Sequence, residues 1–76
     1  MVRRIVLFLI RRKLGLKHCQ GFQFTNQKSK EDWYYIDQYH IWKVAPIAVG
    51  ISNVAPSSVS LNWLLDDRCE IIKKEG

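Results

Sequence analysis

Five basic side chains near the amino terminus are the residues best suited to bind an anion. Two arginines precede the apolar segment at residues 5–10, and two arginines and a lysine follow it. An arginine guanidinium can donate two parallel hydrogen bonds to one phosphate. Because the first acidic residue is Glu31, no neighbouring carboxylate neutralises this charge. We therefore predict that an anion is bound by Arg3, Arg4, Arg11, Arg12 and Lys13.

Aromatic residues are concentrated in residues 32–44, which hold all three tyrosines and two of the three tryptophans. Aromatic rings stack on nucleic-acid bases, so an aromatic sheet beside a basic arm suits a nucleotide or a nucleic acid. A small chain has few other large apolar groups, which favours a core position for Trp33, Tyr35, Trp42 and Trp63. We predict that the stacking residues are Tyr34 and Tyr39.

Residues for catalysis are scarce. His18 and His40 are the only residues of the type that commonly acts as a base at neutral pH, and His40 is expected in solvent at a hairpin turn. The pair at residues 66–67 is more typical of a solvated helix end than of a metal site. The sequence contains no glycine-rich phosphate loop. We predict a protein that is not an enzyme and needs no cofactor.

The two cysteines, Cys19 and Cys69, lie fifty positions apart and belong to no Cys-x-x-Cys pair. This spacing predicts free thiols, not a disulfide scaffold. Together with His18 and His40 they form a chemically suitable zinc set, but adjacent ligands at 18 and 19 fit a tetrahedral site poorly. We predict no metal.

The apolar segment at residues 5–10 is too short to be an export signal or to span a bilayer, so the expected location is the cytoplasm.

The apolar segment at residues 5–10 suggests a second chain as a partner. As a helix it is apolar around its whole circumference, and its charges lie at the two ends. A helix that lies on a membrane has a polar face instead, so we predict no membrane-surface role. Periodicity alone leaves a helix and a central strand open for this segment. A helix over residues 2–13 is favoured. We predict a homo-oligomer, preferably a dimer, with a seam formed by Ile5, Leu7, Phe8, Leu9 and Ile10.

The pattern of elements predicts one α+β domain over residues 1–76, with a basic arm at 1–20 and an aromatic body at 21–76. An N-terminal helix packs on a small antiparallel sheet of three to five strands, built on an aromatic hairpin at residues 33–44. Residues 21–25 and 69–73 read as strands, residues 47–54 as a strand or a loop, and residues 59–65 as a short helix. If Ile36 pairs with Ile41, Trp33 and Trp42 share one face of the hairpin, and this is the predicted core face.

At Phe22-Gln-Phe-Thr-Asn26, at residues 33–37 and at residues 59–65, the chain resembles short uncharacterised accessory proteins of bacteriophages and other mobile elements. The resemblance covers residues 22–73 and leaves out the basic arm. It implies a context: such proteins act stoichiometrically as inhibitors of host defence, as sponges for nucleotide signals or as nucleic-acid binders, and several classes are oligomeric.

These observations predict a binding protein that captures an anionic ligand, either a nucleotide signal or a nucleic acid, in order to counter host defence. The alternative is a stoichiometric inhibitor that binds a host protein through its apolar and aromatic surface. A discrete pocket of arginine and aromatic groups would favour the first function, and an exposed complementary patch would favour the second.

Overall fold

The computed structural model describes residues 2–75 and confirms the predicted α+β class. The elements are α1 (Val2–Leu14), β1 (Phe22–Phe24), β2 (Trp33–Ile36), β3 (Ile41–Ala48), β4 (Ile51–Pro56), α2 (Leu61–Leu65) and β5 (Ile71–Lys73). The sequence therefore placed the N-terminal helix, the sheet and the short helix before the last strand correctly. The segment that remained open between strand and loop, residues 47–54, contains the end of β3, a turn at residues 49–50 and the first four residues of β4.

All neighbouring strands of the sheet are antiparallel, in the order β4-β3-β2-β1-β5. The central hairpin has the predicted register, with Ile36 opposite Ile41 and Trp33 opposite Val44. Strands β3 and β4 continue beyond β2 as a two-stranded ribbon, because β2 pairs only with residues 41–44 of β3. The turn of this ribbon contains Gly50, whose φ of 76° is accessible to glycine with little strain.

Helix α1 packs on one face of the sheet. It ends where Gly15 adopts a φ of 69° and the Leu16 backbone N–H donates to the Arg11 carbonyl at 2.8 Å. Leu7 and Ile10 of α1 are fully buried. The core is completed by residues of the sheet, of α2 and of the loop before β5, namely Phe22, Phe24, Ile36, Ile41, Leu64 and Cys69.

The predicted core face of the hairpin is wrong. Phe22 pairs with Tyr34, so Tyr34 and Ile36 share the face of the two phenylalanines, and both helices pack there. Trp33, Tyr35 and Trp42 lie on the opposite face and are only partly buried. The physical reason is that aliphatic and phenyl side chains need no hydrogen-bond partner in a core, whereas each indole N–H does.

The apolar segment of α1 is divided between the core and the surface. Leu7 and Ile10 are inside, but Ile5, Phe8 and Leu9 are 61%, 52% and 50% exposed. Two of the five predicted seam residues thus serve the chain's own core. Coverage of the other three by a second chain stays a prediction.

Two adjacent leucines of α2 provide a test of the core. Leu64 is fully buried and Leu65 is 43% exposed. We expect Leu64→Ala to lower the free energy of unfolding by about 2–5 kcal/mol, because it leaves a cavity in the core. Leu65→Ala should change it by less than about 1 kcal/mol. Urea unfolding followed by circular dichroism measures both values, and equal losses would contradict this packing.

Candidate functional site

The sheet face opposite the two helices carries large aromatic and apolar side chains. Trp33 and Tyr35 of β2 lie opposite Val44 and Trp42 of β3, and Val54 of β4 lies opposite Val44. Antiparallel partners project from the same face of a sheet, so these five side chains share one surface, which we call the open face. Around Tyr35, Trp42, Val44, Val54 and Cys19 this surface has a hollow of about 490 Å³.

The aromatic rings of the open face are held by specific contacts. Tyr35 lies against the backbone of Gly21, where a Cβ atom would come within 3.1 Å of three atoms of its side chain. The indole N–H of Trp42 donates to Oδ2 of Asp37 at 2.8 Å. The ammonium of Lys74 lies 5.3 Å from the centroid of the Trp33 ring, within the range of a cation–π contact. The ring positions are therefore built into the fold.

Asp37 organises the turn between β2 and β3. Its Oδ1 accepts hydrogen bonds from the backbone N–H groups of Tyr39 and His40, each at 2.7 Å. Desolvation raises the pKa of Asp37, but the hydrogen bonds from Trp42, Tyr39 and His40 outweigh it, and the net pKa is lowered from 3.8. The ionised carboxylate thus fixes both the turn and the Trp42 ring.

Basic side chains border the open face at the end of the sheet that contains this turn. A cavity of about 530 Å³ is lined by Lys17, His18, Tyr35 and Lys74, with Glu75 as its acidic residue. We call Lys17, His18 and Lys74 the basic rim. Because Tyr35 lines both this cavity and the hollow beside Trp42, the basic rim and the open face form one continuous surface.

Three of the predicted anion-binding arginines lie near the same end. Arg3 Nε donates to the Tyr39 carbonyl at 2.9 Å, and the Arg4 guanidinium lies 5.9 Å from the centroid of the Tyr39 ring. Arg11 Nη1 donates to Nδ1 of His18 at 3.0 Å. The buried Nε of Arg11 has no hydrogen-bond partner among residues 2–75. The structure thus brings these arginines to the basic rim and to Tyr39, a predicted stacking residue.

The other two predicted anion-binding residues are placed differently. Arg12 is exposed on α1, and Lys13 Nζ contacts the Asp66 carbonyl at 3.3 Å and the Asp67 carboxylate at 4.0 Å. Asp66 itself is paired with Arg68 at 2.9 Å, which lowers the pKa of Asp66 to about 2. Lys13 therefore already has acidic neighbours, which Lys17 lacks among the ion pairs of residues 2–75.

The structure separates the two predicted stacking residues. Tyr34 packs among Phe22 and Phe24, with ring centroids 5.9 and 5.0 Å away, so its ring is part of the core side of the sheet. Tyr39 is 54% exposed. Five residues of the open face and the basic rim were not predicted from the sequence as candidate site residues: Trp33, Tyr35, Trp42, Lys17 and Lys74. No local pattern identifies the covered face, because it follows from the pairing of Phe22 with Tyr34 between β1 and β2.

Residues 2–75 contain neither a cluster of metal ligands nor a helix that could span a membrane. No group of three or more histidine, cysteine or acidic side chains comes close enough to hold a metal ion in this part of the chain. None of its helices is long and apolar enough to cross a membrane. Cys19 is exposed beside the open face, and Cys69 is buried with a raised pKa that results mainly from desolvation.

Comparisons with protein-family models, with curated proteins and with solved structures found no match to this chain. The resemblance to phage accessory proteins therefore stays a prediction. Function has to be argued from the geometry of the open face and the basic rim.

Replacement of Asp37 tests how the site is held. Asp37→Ala removes the acceptor for three hydrogen bonds, so we expect a loss of about 1–2 kcal/mol in the free energy of unfolding at pH 7. Because the pKa of Asp37 is lowered in the folded state, its contribution is complete above its ordinary value of 3.8 and is lost as the pH falls through the folded value.

The difference between parent and variant should therefore shrink below about pH 4 when urea unfolding is measured across the acid range. Asp67→Ala is the control, because the Asp67 side chain is fully exposed and receives no such bonds. A difference that is constant between pH 7 and pH 3 would contradict the assigned role of the carboxylate.

Proposed function

We propose that this protein binds single-stranded nucleic acid, with bases stacked on the open face and phosphates held at the basic rim. The observation that carries the proposal is the joint placement of three partly exposed aromatic rings and two lysines on one surface: Trp33, Tyr35, Trp42, Lys17 and Lys74. Stacking tolerates any base, and the phosphates add a sequence-independent attraction.

The arrangement of the rings fits several consecutive bases better than one mononucleotide. Tyr35 and Trp42 lie directly opposite each other on neighbouring strands. Trp33 lies two residues before Tyr35, on the same face of the sheet. Residues i and i+2 of a strand are about 6.5 Å apart, which leaves room for separate base platforms. Three aromatic rings along one surface can each stack with one base of an extended nucleic-acid strand.

A single strand is favoured over a duplex. Paired bases in a duplex already stack on each other and present only their edges, whereas unpaired bases can turn onto aromatic side chains. The open face presents aromatic rings but no helix that could enter a groove of a duplex, because both helices pack on the other side of the sheet. The ligand is therefore a single-stranded DNA or RNA segment.

The proposed activity is capture without chemistry. In the predicted context of a phage or mobile-element accessory protein, stoichiometric capture of single-stranded nucleic acid would remove a signal or an intermediate that host defence uses. The arginines near Tyr39 extend the positive surface beyond the basic rim, so they support the ionic part of the interaction.

Removal of single rings tests the stacking. We expect Trp33→Ala and Tyr35→Ala each to weaken binding of a fluorescein-labelled oligodeoxythymidylate of about 12 nucleotides by roughly 5- to 150-fold, the range for loss of one base–aromatic stack. Phe8→Ala is the matched control, because Phe8 is an exposed aromatic residue on α1, away from the open face. Fluorescence anisotropy measures the affinities. Equal affinity of both open-face variants and the parent would contradict the proposal.

A pair of variants with the same net charge tests the location of the phosphates. Lys17→Gln with Lys74→Gln should lower the slope of log K against log salt by about 1.4, because each phosphate contact with a single strand contributes about 0.7. Arg12→Gln with Lys13→Gln removes the same charge elsewhere and should leave the slope within about 0.3 of the parent. The opposite result would place the nucleic acid along α1.

Inhibition of a host protein is the second candidate function. The observation that favours it is the exposed apolar stripe of α1, formed by Val2, Ile5, Phe8 and Leu9. Binding through this stripe would withstand raised salt and the loss of Lys17 and Lys74, and would be weakened by Phe8→Ala. The two candidate functions therefore respond to different substitutions.

A further inference from the structure

The ribbon formed by β3 and β4 is incomplete by itself. Beyond the end of β2 it consists of two strands only, and its apolar side chains are in solvent: Ile47, Val49 and Ile51 are 69%, 102% and 58% exposed. A two-stranded hairpin is marginally stable in water, and three or more strands are needed for independent stability. The outer edge of β4 has no strand beside it within residues 2–75.

This edge also lacks the charged side chains that keep most edge strands apart. Proteins usually protect an exposed edge with charged side chains, above all lysine. Residues 44–65 contain no ionisable side chain at all. Strand β4 lies entirely within this stretch, and the proline at its end, Pro56, leaves the preceding positions free to pair.

We infer that β4 pairs antiparallel with β4 of a second copy of this chain. In a two-fold symmetric interface the same surface patch of both copies is brought together, and a residue near the axis lies beside its own counterpart. A patch with charges of one sign therefore repels itself, and an uncharged patch does not. The chain has a net charge of +5. The uncharged edge of β4 is therefore the surface where two such copies can approach at least electrostatic cost.

The stripe of α1 is a poorer seam for the same reason. Arg3, Arg4 and Arg12 are exposed around it, and α1 contains no acid. An antiparallel pair of α1 helices would place the arginines at one end of each helix beside those at the other end of its partner. Like charges at such distances destabilise an interface. The β4 edge therefore replaces α1 as the site of the predicted dimer.

The symmetry of this pairing decides where the two open faces lie. Antiparallel pairing of two identical edges requires a two-fold axis perpendicular to the sheet, so both open faces lie on the same side of one continuous ten-stranded sheet. Val54 lies on the open face next to the junction. This last step, unlike the pairing itself, rests on the proposed function: with nucleic acid as the ligand, the dimer presents one stacking surface of twice the length.

Two opposite charges at the middle of β4 test the pairing. Asn53 is exposed on β4 and lies opposite Ala45 of β3, so its replacement leaves the core intact. Sedimentation equilibrium at roughly 100 μM protomer should show a dimer for the parent and a monomer for Asn53→Lys and for Asn53→Glu, since like charges then face each other across the junction. An equimolar mixture of the two variants should sediment as a dimer again.

Leu9→Lys is the control on α1, and it should remain a dimer like the parent. A monomeric parent would overturn the inference, and so would a dimer that Leu9→Lys dissociates while both Asn53 variants keep it. Failure of the Asn53 mixture to re-form the dimer would overturn antiparallel pairing. Each result is independent of nucleic acid, which is not added.

Discussion

The strict alternation of side chains along antiparallel strands is the constraint on which this structure depends. Phe22 opposite Tyr34 and Ile36 opposite Ile41 assign one face of the sheet to the helices. The same two pairs force Trp33, Tyr35 and Trp42 to the other face, because a shift of one residue would exchange the faces completely. The core and the open face are thus two consequences of one register. A substitution that moved this register would destroy both together.

The composition of the two faces explains why one is covered. The fully buried positions on the helix side hold side chains that need no polar partner, such as Leu7, Ile10, Phe22 and Leu64. The open face holds aromatic rings with polar groups. One of them, the indole of Trp42, donates a hydrogen bond to Asp37 in the turn between β2 and β3. Such rings can be partly solvated at little cost and still present flat apolar surfaces. A ligand with its own flat apolar rings gains most from contact with them.

Local patterns in the sequence predicted the elements well but did not predict the faces. The hairpin with Ile36 opposite Ile41 follows from residue types on both arms, and the end of α1 follows from Gly15. The choice of core face could not follow from the hairpin alone, because both faces carry aromatic and β-branched side chains and the face with fewer of them is the one that is covered. The core face is determined by β1, which pairs with the hairpin, and by the helices, which pack on it; these contacts join residues far apart in the sequence. Lys74 was missed for the same reason, since only the fold brings it to Trp33.

The central claim is that the open face receives the bases of a single-stranded nucleic acid, and the three indole N–H groups report on it most directly. Trp33 and Trp42 lie on this face, while Trp63 packs against the core on the helix side. A titration of ¹⁵N-labelled protein with unlabelled oligodeoxythymidylate should shift the indole signals of Trp33 and Trp42 and leave that of Trp63 unchanged. Shifts confined to Trp63 or to the amides of α1, or no shift in any signal, would contradict the account.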